Sequence, residues 1–291
     1  MKKKGLFAAF LALTLCLSAC ATAGGTVGGA ATDTTAAEII ADTDAEAAAD
    51  EVIPDTEETA EADMMEGVSE PDAEPQSNGE EQERMLQVNG VNLSVKEAGS
   101  GPDMILIHGR GFDKESMDVF FRHYQSRYHV VSYDVRGHGK TVAPGEFTLD
   151  DLSEDLAGLL SARQSERPVV IGFSMGSYIA LRTAERYPGL FSKIVLIGTR
   201  GGRTSSGLPM TDEVARALEH FDNLTDAPGV SVPALVLTGE NDAINPPAEG
   251  EKVADALPDA RFEMIPGAEH TAYVSEPDRV LALIDEFLGE T

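Results

Sequence analysis

The chain has no tryptophan, and its two cysteines, Cys16 and Cys20, both fall at the front. Everything after Cys20 therefore lacks the thiols for a disulfide framework or a cysteine-ligated metal. No pair of histidines has the helix-spaced carboxylate partner of a zinc-binding motif. Gly24-Gly25 and Gly28-Gly29 lie in a polar tract rather than between a strand and a helix, so they make no phosphate loop. Chemistry without a metal or cofactor is the expectation. Basic residues are scarce as well: 22 Lys and Arg face 50 Asp and Glu, a net charge of −28. Nucleic acid binding has nothing to rest on.

The leading apolar run, Leu6 to Leu17, follows Lys2-Lys3-Lys4 and is too short to favour a stable membrane span. It ends in Leu17-Ser18-Ala19-Cys20, which resembles the lipobox of bacterial lipoproteins. That resemblance implies a signal peptide over residues 1–19, removed with Cys16, and a lipidated Cys20 as the first mature residue. Two or more acyl chains on one cysteine give stable anchoring. The implied location is extracytoplasmic, on the membrane; a plain secretory signal would leave Cys20 a coincidence. Residues 20–84 read as an acidic, disordered linker. They carry 19 acidic residues and one basic residue, Arg84. With so little apolar surface the segment cannot offset its ordering entropy. Its flexible reach is about 45 Å.

Residues 85–291 suffice for one domain with a sizeable core. Asn89-Gly90 between two alternating segments signals a hairpin. Strand-like and helix-like segments then alternate, which predicts an α/β domain. Its sheet is mostly parallel, with helices on both faces.

Within it, Gly172-Phe173-Ser174-Met175-Gly176 follows the short β-branched run Pro168–Ile171 and precedes an apolar periodic segment ending at Pro188. A strand turning sharply into a helix strains its corner residue and needs small neighbours, which is how a nucleophilic serine is presented. Two more strand-like segments follow. One, Val232 to Gly239, leads into Glu240-Asn241-Asp242; the other, Arg261 to Ile265, leads into Glu269-His270. A serine hydroxyl needs an imidazole to take its proton, and the imidazole needs a carboxylate to fix its tautomer. In a parallel sheet the strand ends share one edge, so Ser174, Asp242 and His270 can meet there. Glu240 and Asp134 are rival acids. His108 and His138 sit in Gly-flanked loops and read as structural, while His123, His129 and His220 read as surface or partly packed. Ser177 reads as packing at the helix start.

From Leu86 to the C-terminus the chain resembles an α/β-hydrolase of the small esterase and lactonase type. Ile105 to Phe112 resembles the family's oxyanion loop. Tyr133 to Thr141 resembles its next strand-end loop, with Lys140 where Ser is commoner. Leu237-Thr238-Gly239 with Asp242 and Pro246 resembles the acid loop, and His270 with Pro277 and Phe287-Leu288 resembles the histidine loop and last helix. The resemblance implies a sheet of about eight strands and catalysis by Ser174, Asp242 and His270. It also implies an oxyanion hole from the Arg110 and Met175 amides, and places His108 and Gly109 beside the substrate.

Only residues 199–231 separate the sixth and seventh core strands, with one helix expected from Thr211 to Phe221, which points to a short lid. Arg110, Arg200 and Arg203 either are solvated or line an entrance favouring acyl groups with a carboxylate. The expected function is hydrolysis of a small carboxylic ester or lactone through an acyl-enzyme. The same triad would also serve a cofactor-free haloperoxidase or perhydrolase, an amide hydrolase, or a ligand-binding sensor with slow turnover.

Overall fold

The computed structural model describes residues 79–202 and 213–290. The expected signal peptide, Cys20, most of the expected linker, Arg203 and Thr211 lie outside the described residues.

The sheet grows from a hairpin. Strands β1 (Gly79–Val88) and β2 (Val91–Gly99) pair antiparallel with Val88 opposite Val91. Asn89 and Gly90 between them have φ of 47° and 79°. Positive φ at both central residues matches the right-handed strand twist, and Asn-Gly tolerates it best. β1 begins at Gly79, inside the stretch that reads as linker by composition, rather than at Met85. Its acidic residues meet cations of the domain: Glu83 pairs with Lys140 at 2.8 Å, and Glu81 lies 3.6 Å from the buried Lys96.

Then come β3 (Asp103–Ile107), α1 (Asp118–Tyr124), β4 (His129–Tyr133), α2 (Leu149–Ala162), β5 (Val169–Phe173), α3 (Met175–Arg186) and β6 (Lys193–Ile197). After β6 the described part of the lid holds α4 (Glu213–Ala217) and α5 (Asn223–Asp226). The chain closes with β7 (Ala234–Gly239), α6 (Pro247–Ala256), β8 (Ala260–Ile265), α7 (Ala272–Ser275) and α8 (Pro277–Leu288). The sheet has eight strands in the order β1-β2-β4-β3-β5-β6-β7-β8, parallel from β4 to β8.

Successive side chains on a strand face opposite ways, so each central strand feeds two cores. Ile105, Ile107, Val170, Ile194, Leu196 and Val236 join one with α2 and α3. Met104, Leu106, Ile171, Val195, Ile197 and Leu237 join the other with α1 and α8. All twelve are fully buried. Continuous apolar strands of this kind require helices on both faces.

The lid differs from the expected single helix. α4 ends at Ala217, and Asp222 interrupts any continuation because its carboxylate caps α5, accepting from the Leu224 and Thr225 amides at 3.2 Å. An Asp that can reach backbone amides two and three residues on favours a new helix start over continuation of the old one.

At the other end of the sheet, His129 opens β4 between two carboxylates, 2.8 Å from Asp103 and 3.4 Å from Glu97. Hydrogen bonding to Asp103 and then Glu97 raises its pKa to about 9, against burial and the nearby Arg163. A histidine raised above its unfolded value of about 6.5 holds more protons folded than unfolded between those two pH values. Its stabilisation, on the order of 3 kcal/mol, is complete below pH ~6.5 and lost as pH rises through ~9. The wild-type melting temperature should therefore fall between pH 7 and 9.5. In His129→Gln that decline should be much shallower; parallel curves would show the histidine is not the source.

Candidate active site

The turn after β5 sets the site. Ser174 has φ 49° and ψ −113°, a conformation costly for a residue with a side chain. Its neighbours show why that geometry is enforced. A Cβ on Gly172 would lie 2.4 Å from the Gly176 carbonyl oxygen, and one on Gly176 would lie 2.2 Å from that of Ile107. β5, β3 and the start of α3 thus touch backbone to backbone, and the corner residue absorbs the strain. Ser177, fully buried, donates its hydroxyl to the Ser174 carbonyl at 2.6 Å and packs the helix start as expected.

Asp242 and His270 reach the same edge from β7 and β8. His270 Nδ1 lies 2.7 Å from Asp242 Oδ2, and the carboxylate is buried. The second oxygen, Oδ1, accepts from the amides of Ile244 at 2.9 Å and Asn245 at 2.7 Å. Both oxygens are therefore held, one by the imidazole and one by the loop. The His270 ring packs against Phe173, the residue before Ser174, with centroids 5.0 Å apart. It also borders Gly198 at the end of β6, where a Cβ would stand 3.1 Å from His270 Cε1. The rival acids are engaged elsewhere. Glu240 accepts from the Gly267 amide at 2.8 Å, and Asp134 accepts from the Lys114 and Lys140 amides, each at 2.8 Å.

The loop after β3 approaches Ser174 closely: a Cβ on Gly109 would sit 3.3 Å from Ser174 Cβ. Among the described residues, neither the Arg110 nor the Met175 amide donates to a protein acceptor. Backbone N–H groups at the start of a helix and in the facing loop are the donors an oxyanion would use.

Two expected substrate contacts need correction. His108 is fully buried, and both ring nitrogens are occupied by backbone. Nδ1 donates to Gly109 O at 2.8 Å, and Nε2 accepts from the Val135 amide at 3.0 Å. Burial drives its pKa down to about 4, so it is a neutral strut between two loops and not a substrate ligand. Arg200 does not lie free at an entrance. Its Nε donates to Gly202 O at 2.8 Å, and Nη1 reaches toward Ile244 O at 3.4 Å and Asn245 Oδ1 at 3.5 Å. It braces the lid base against the acid loop. Arg110 is exposed.

Sequence reasoning missed the layer behind the triad, where Asn245 donates to Tyr178 Oη at 2.9 Å and Tyr178 stacks on Phe221. The only signals were an asparagine three residues past the acid and a tyrosine one helical turn past Ser174.

A groove of about 420 Å³ between α2, α3 and the lid, lined by residues including Arg182, Arg216 and His220, does not include the triad. Among the described residues, no group of three His, Cys, Asp or Glu could hold a metal ion. No described helix is long and apolar enough to cross a membrane.

Residues 102–227 match the family described as the alpha/beta hydrolase fold, and residues 214–291 match the family described as TAP-like protein. The Mycobacterium tuberculosis protein BpoC, named provisionally as a non-heme bromoperoxidase, is 27% identical over 68% of this chain and 98% of its own. A pimeloyl-[acyl-carrier protein] methyl ester esterase of Nitrosomonas europaea is 22% identical over 67% of this chain and 99% of that protein. Among solved structures, the enol-lactonase of Burkholderia xenovorans LB400 superposes with a TM-score of 0.66 at 23% identity, over 71% of this chain and all of that one. By its eight-stranded sheet and by these matches, this chain has the α/β-hydrolase fold.

Proposed function

We propose that this protein is a serine hydrolase that cleaves small carboxylic esters or lactones through an acyl-enzyme on Ser174. The observation that carries the reading is the 2.7 Å contact between Asp242 and His270 Nδ1 beside a serine held at φ 49°. With Nδ1–H bound by the carboxylate, Nε2 is left as the base. It takes the Ser174 proton as Oγ bonds to the acyl carbon, and the carbonyl electron pair moves onto oxygen. The Arg110 and Met175 amides receive that oxyanion. Collapse expels the alcohol, which takes the proton back from His270, and water repeats the sequence on the acyl-enzyme. In a lactone, acyl and alcohol stay joined and the product is one hydroxy acid. The names of the esterase and lactonase relatives support this substrate class. The proposal extends to place: Cys20 anchors the domain to an extracytoplasmic membrane face, and the acidic stretch ahead of β1 serves as the spacer.

A fluorophosphonate probe tests the nucleophile. It should label the wild-type chain in minutes and leave Ser174→Ala unlabelled, and wild type should turn over p-nitrophenyl acetate. A folded wild-type protein that resists the probe would sink the mechanism and favour a ligand-binding sensor. The likeness to BpoC supports a second reading, perhydrolysis of a carboxylic acid by hydrogen peroxide on the same triad. If that were the main activity, peroxide-dependent bromination in acetate would outpace ester hydrolysis.

A further inference from the structure

The acid loop runs from the end of β7 to the start of α6, and it is fastened on both sides of Asp242. Ahead of the acid, the amides of Glu240 and Asn241 donate to Ile265 O at 2.9 Å and Ala268 O at 2.8 Å, on the stretch that leads to His270. Beyond the acid, the buried tie is Asn245. Its backbone amide donates to Asp242 Oδ1 at 2.7 Å. Its side-chain NH₂ donates to Tyr178 Oη at 2.9 Å and to the Gly198 carbonyl. A primary amide has two hydrogens, so both are committed. The amide cannot be flipped, because its oxygen faces Arg200 Nη1 at 3.5 Å and its nitrogen faces a carbonyl.

Both partners are themselves fixed. Tyr178 lies on α3, one helical turn past Ser174, and its ring stacks on Phe221 with centroids 4.4 Å apart and planes 12° from parallel. Gly198 is the first residue past β6, and its own amide donates to Leu237 O of β7 at 2.8 Å. A Cβ on Gly198 would stand 3.1 Å from His270 Cε1 and 3.6 Å from Asp242 Oδ2, so its backbone forms a wall against the acid–imidazole pair. Asn245 therefore joins that wall, the helix that presents the serine and the loop that carries the acid. We propose that Asn245 is a positioning residue of the triad, whose side chain pins the acid loop to β6 and α3 and thereby holds the Asp242 carboxylate against His270 Nδ1. This deepens the hydrolase reading and rests on it. Asn245 touches neither substrate nor the reacting atoms; it acts through Asp242, whose Oδ1 follows the Asn245 amide wherever the loop goes. A side chain locked by buried hydrogen bonds is what keeps such a contact within a productive geometry.

The test is a double-mutant cycle in the full chain, read by fluorophosphonate labelling rate and by steady-state hydrolysis of p-nitrophenyl acetate. Its members are wild type, Asn245→Ala, Asp242→Ala and the double variant Asp242→Ala/Asn245→Ala, with Ser174→Ala as the control. Asn245→Ala should slow labelling and lower kcat by about a hundredfold, the scale of a misplacement near 1 Å, with KM unchanged. In the Asp242→Ala background the same substitution should cost nothing further, because there is no carboxylate left to position. A residue that only supports the fold would cost the same in both backgrounds, so additive losses would overturn the proposal. Wild-type kcat in Asn245→Ala would overturn it too. If Asn245→Ala proves too unstable to assay, Asn245→Leu fills nearly the same volume without a donor, and wild-type rates in that variant would equally overturn it. Failure of the wild-type chain to label, or labelling of Ser174→Ala, would instead remove the nucleophile assignment, so the two failures are distinct.

Discussion

Replacing His270 with alanine should lower kcat for p-nitrophenyl acetate by about a millionfold, as much as removing the whole triad. Without the imidazole, Ser174 keeps its proton and the leaving alcohol has no acid. Asp242→Asn is the more incisive variant, and it should lower kcat by about ten-thousandfold. The geometry dictates why. Oδ1 accepts from the Ile244 and Asn245 amides at 2.9 and 2.7 Å, so an asparagine must turn its oxygen toward them. Its NH₂ then faces His270 Nδ1, which becomes an acceptor and forces the ring proton onto Nε2. The base is left holding a proton at the position that should receive one. Retention of more than a tenth of wild-type kcat in Asp242→Asn would mean that another carboxylate orients the imidazole.

The three residues of this argument were readable in the sequence because each sits in a local signal: a serine between glycines, and an acid and a histidine just past strands. Chain order along a parallel sheet then predicts their meeting, and the structure brings Asp242 and His270 into contact. The rest depended on contacts between distant loops. The His108 ring fills its hydrogen-bonding capacity with Gly109 O and the Val135 amide, so the structural reading of its Gly-flanked loop holds, and the resemblance that set it beside the substrate pointed wrongly. The Tyr178–Asn245 bond joins residues 67 positions apart. The start of β1 was hidden for another reason. An edge strand rich in Glu has the composition of a linker, and only the facing Lys96 and Lys140 show what offsets its charge. Lys140 is the residue that departs from the family pattern in its loop, and its Glu83 contact gives that departure a structural role.

The largest stability loss from a single charge is expected at Arg136→Ala. Arg136 Nε and Nη2 donate to the two Asp155 oxygens at 2.8 and 2.7 Å, and both side chains are buried between α2 and the loop after β4. Removing one member leaves a carboxylate without its counter-charge beside Leu152, Leu156 and Leu159, at a cost of about 3–5 kcal/mol. Denaturant unfolding of the single variant should show a loss of that order. The pair is not thereby a source of net stability, because burying two charges costs nearly what their attraction returns. Arg136→Met combined with Asp155→Leu should therefore recover most of the loss. What the double variant should not recover is loop geometry. The Arg136 carbonyl lies 3.2 Å from His138 Nδ1, and His138 meets His108 edge-on with centroids 5.1 Å apart. His108 in turn holds the loop that carries the Arg110 amide. A double variant with restored stability but a lowered kcat would assign the ion pair to positioning the oxyanion loop. Equal kcat in wild type and double variant would confine it to folding.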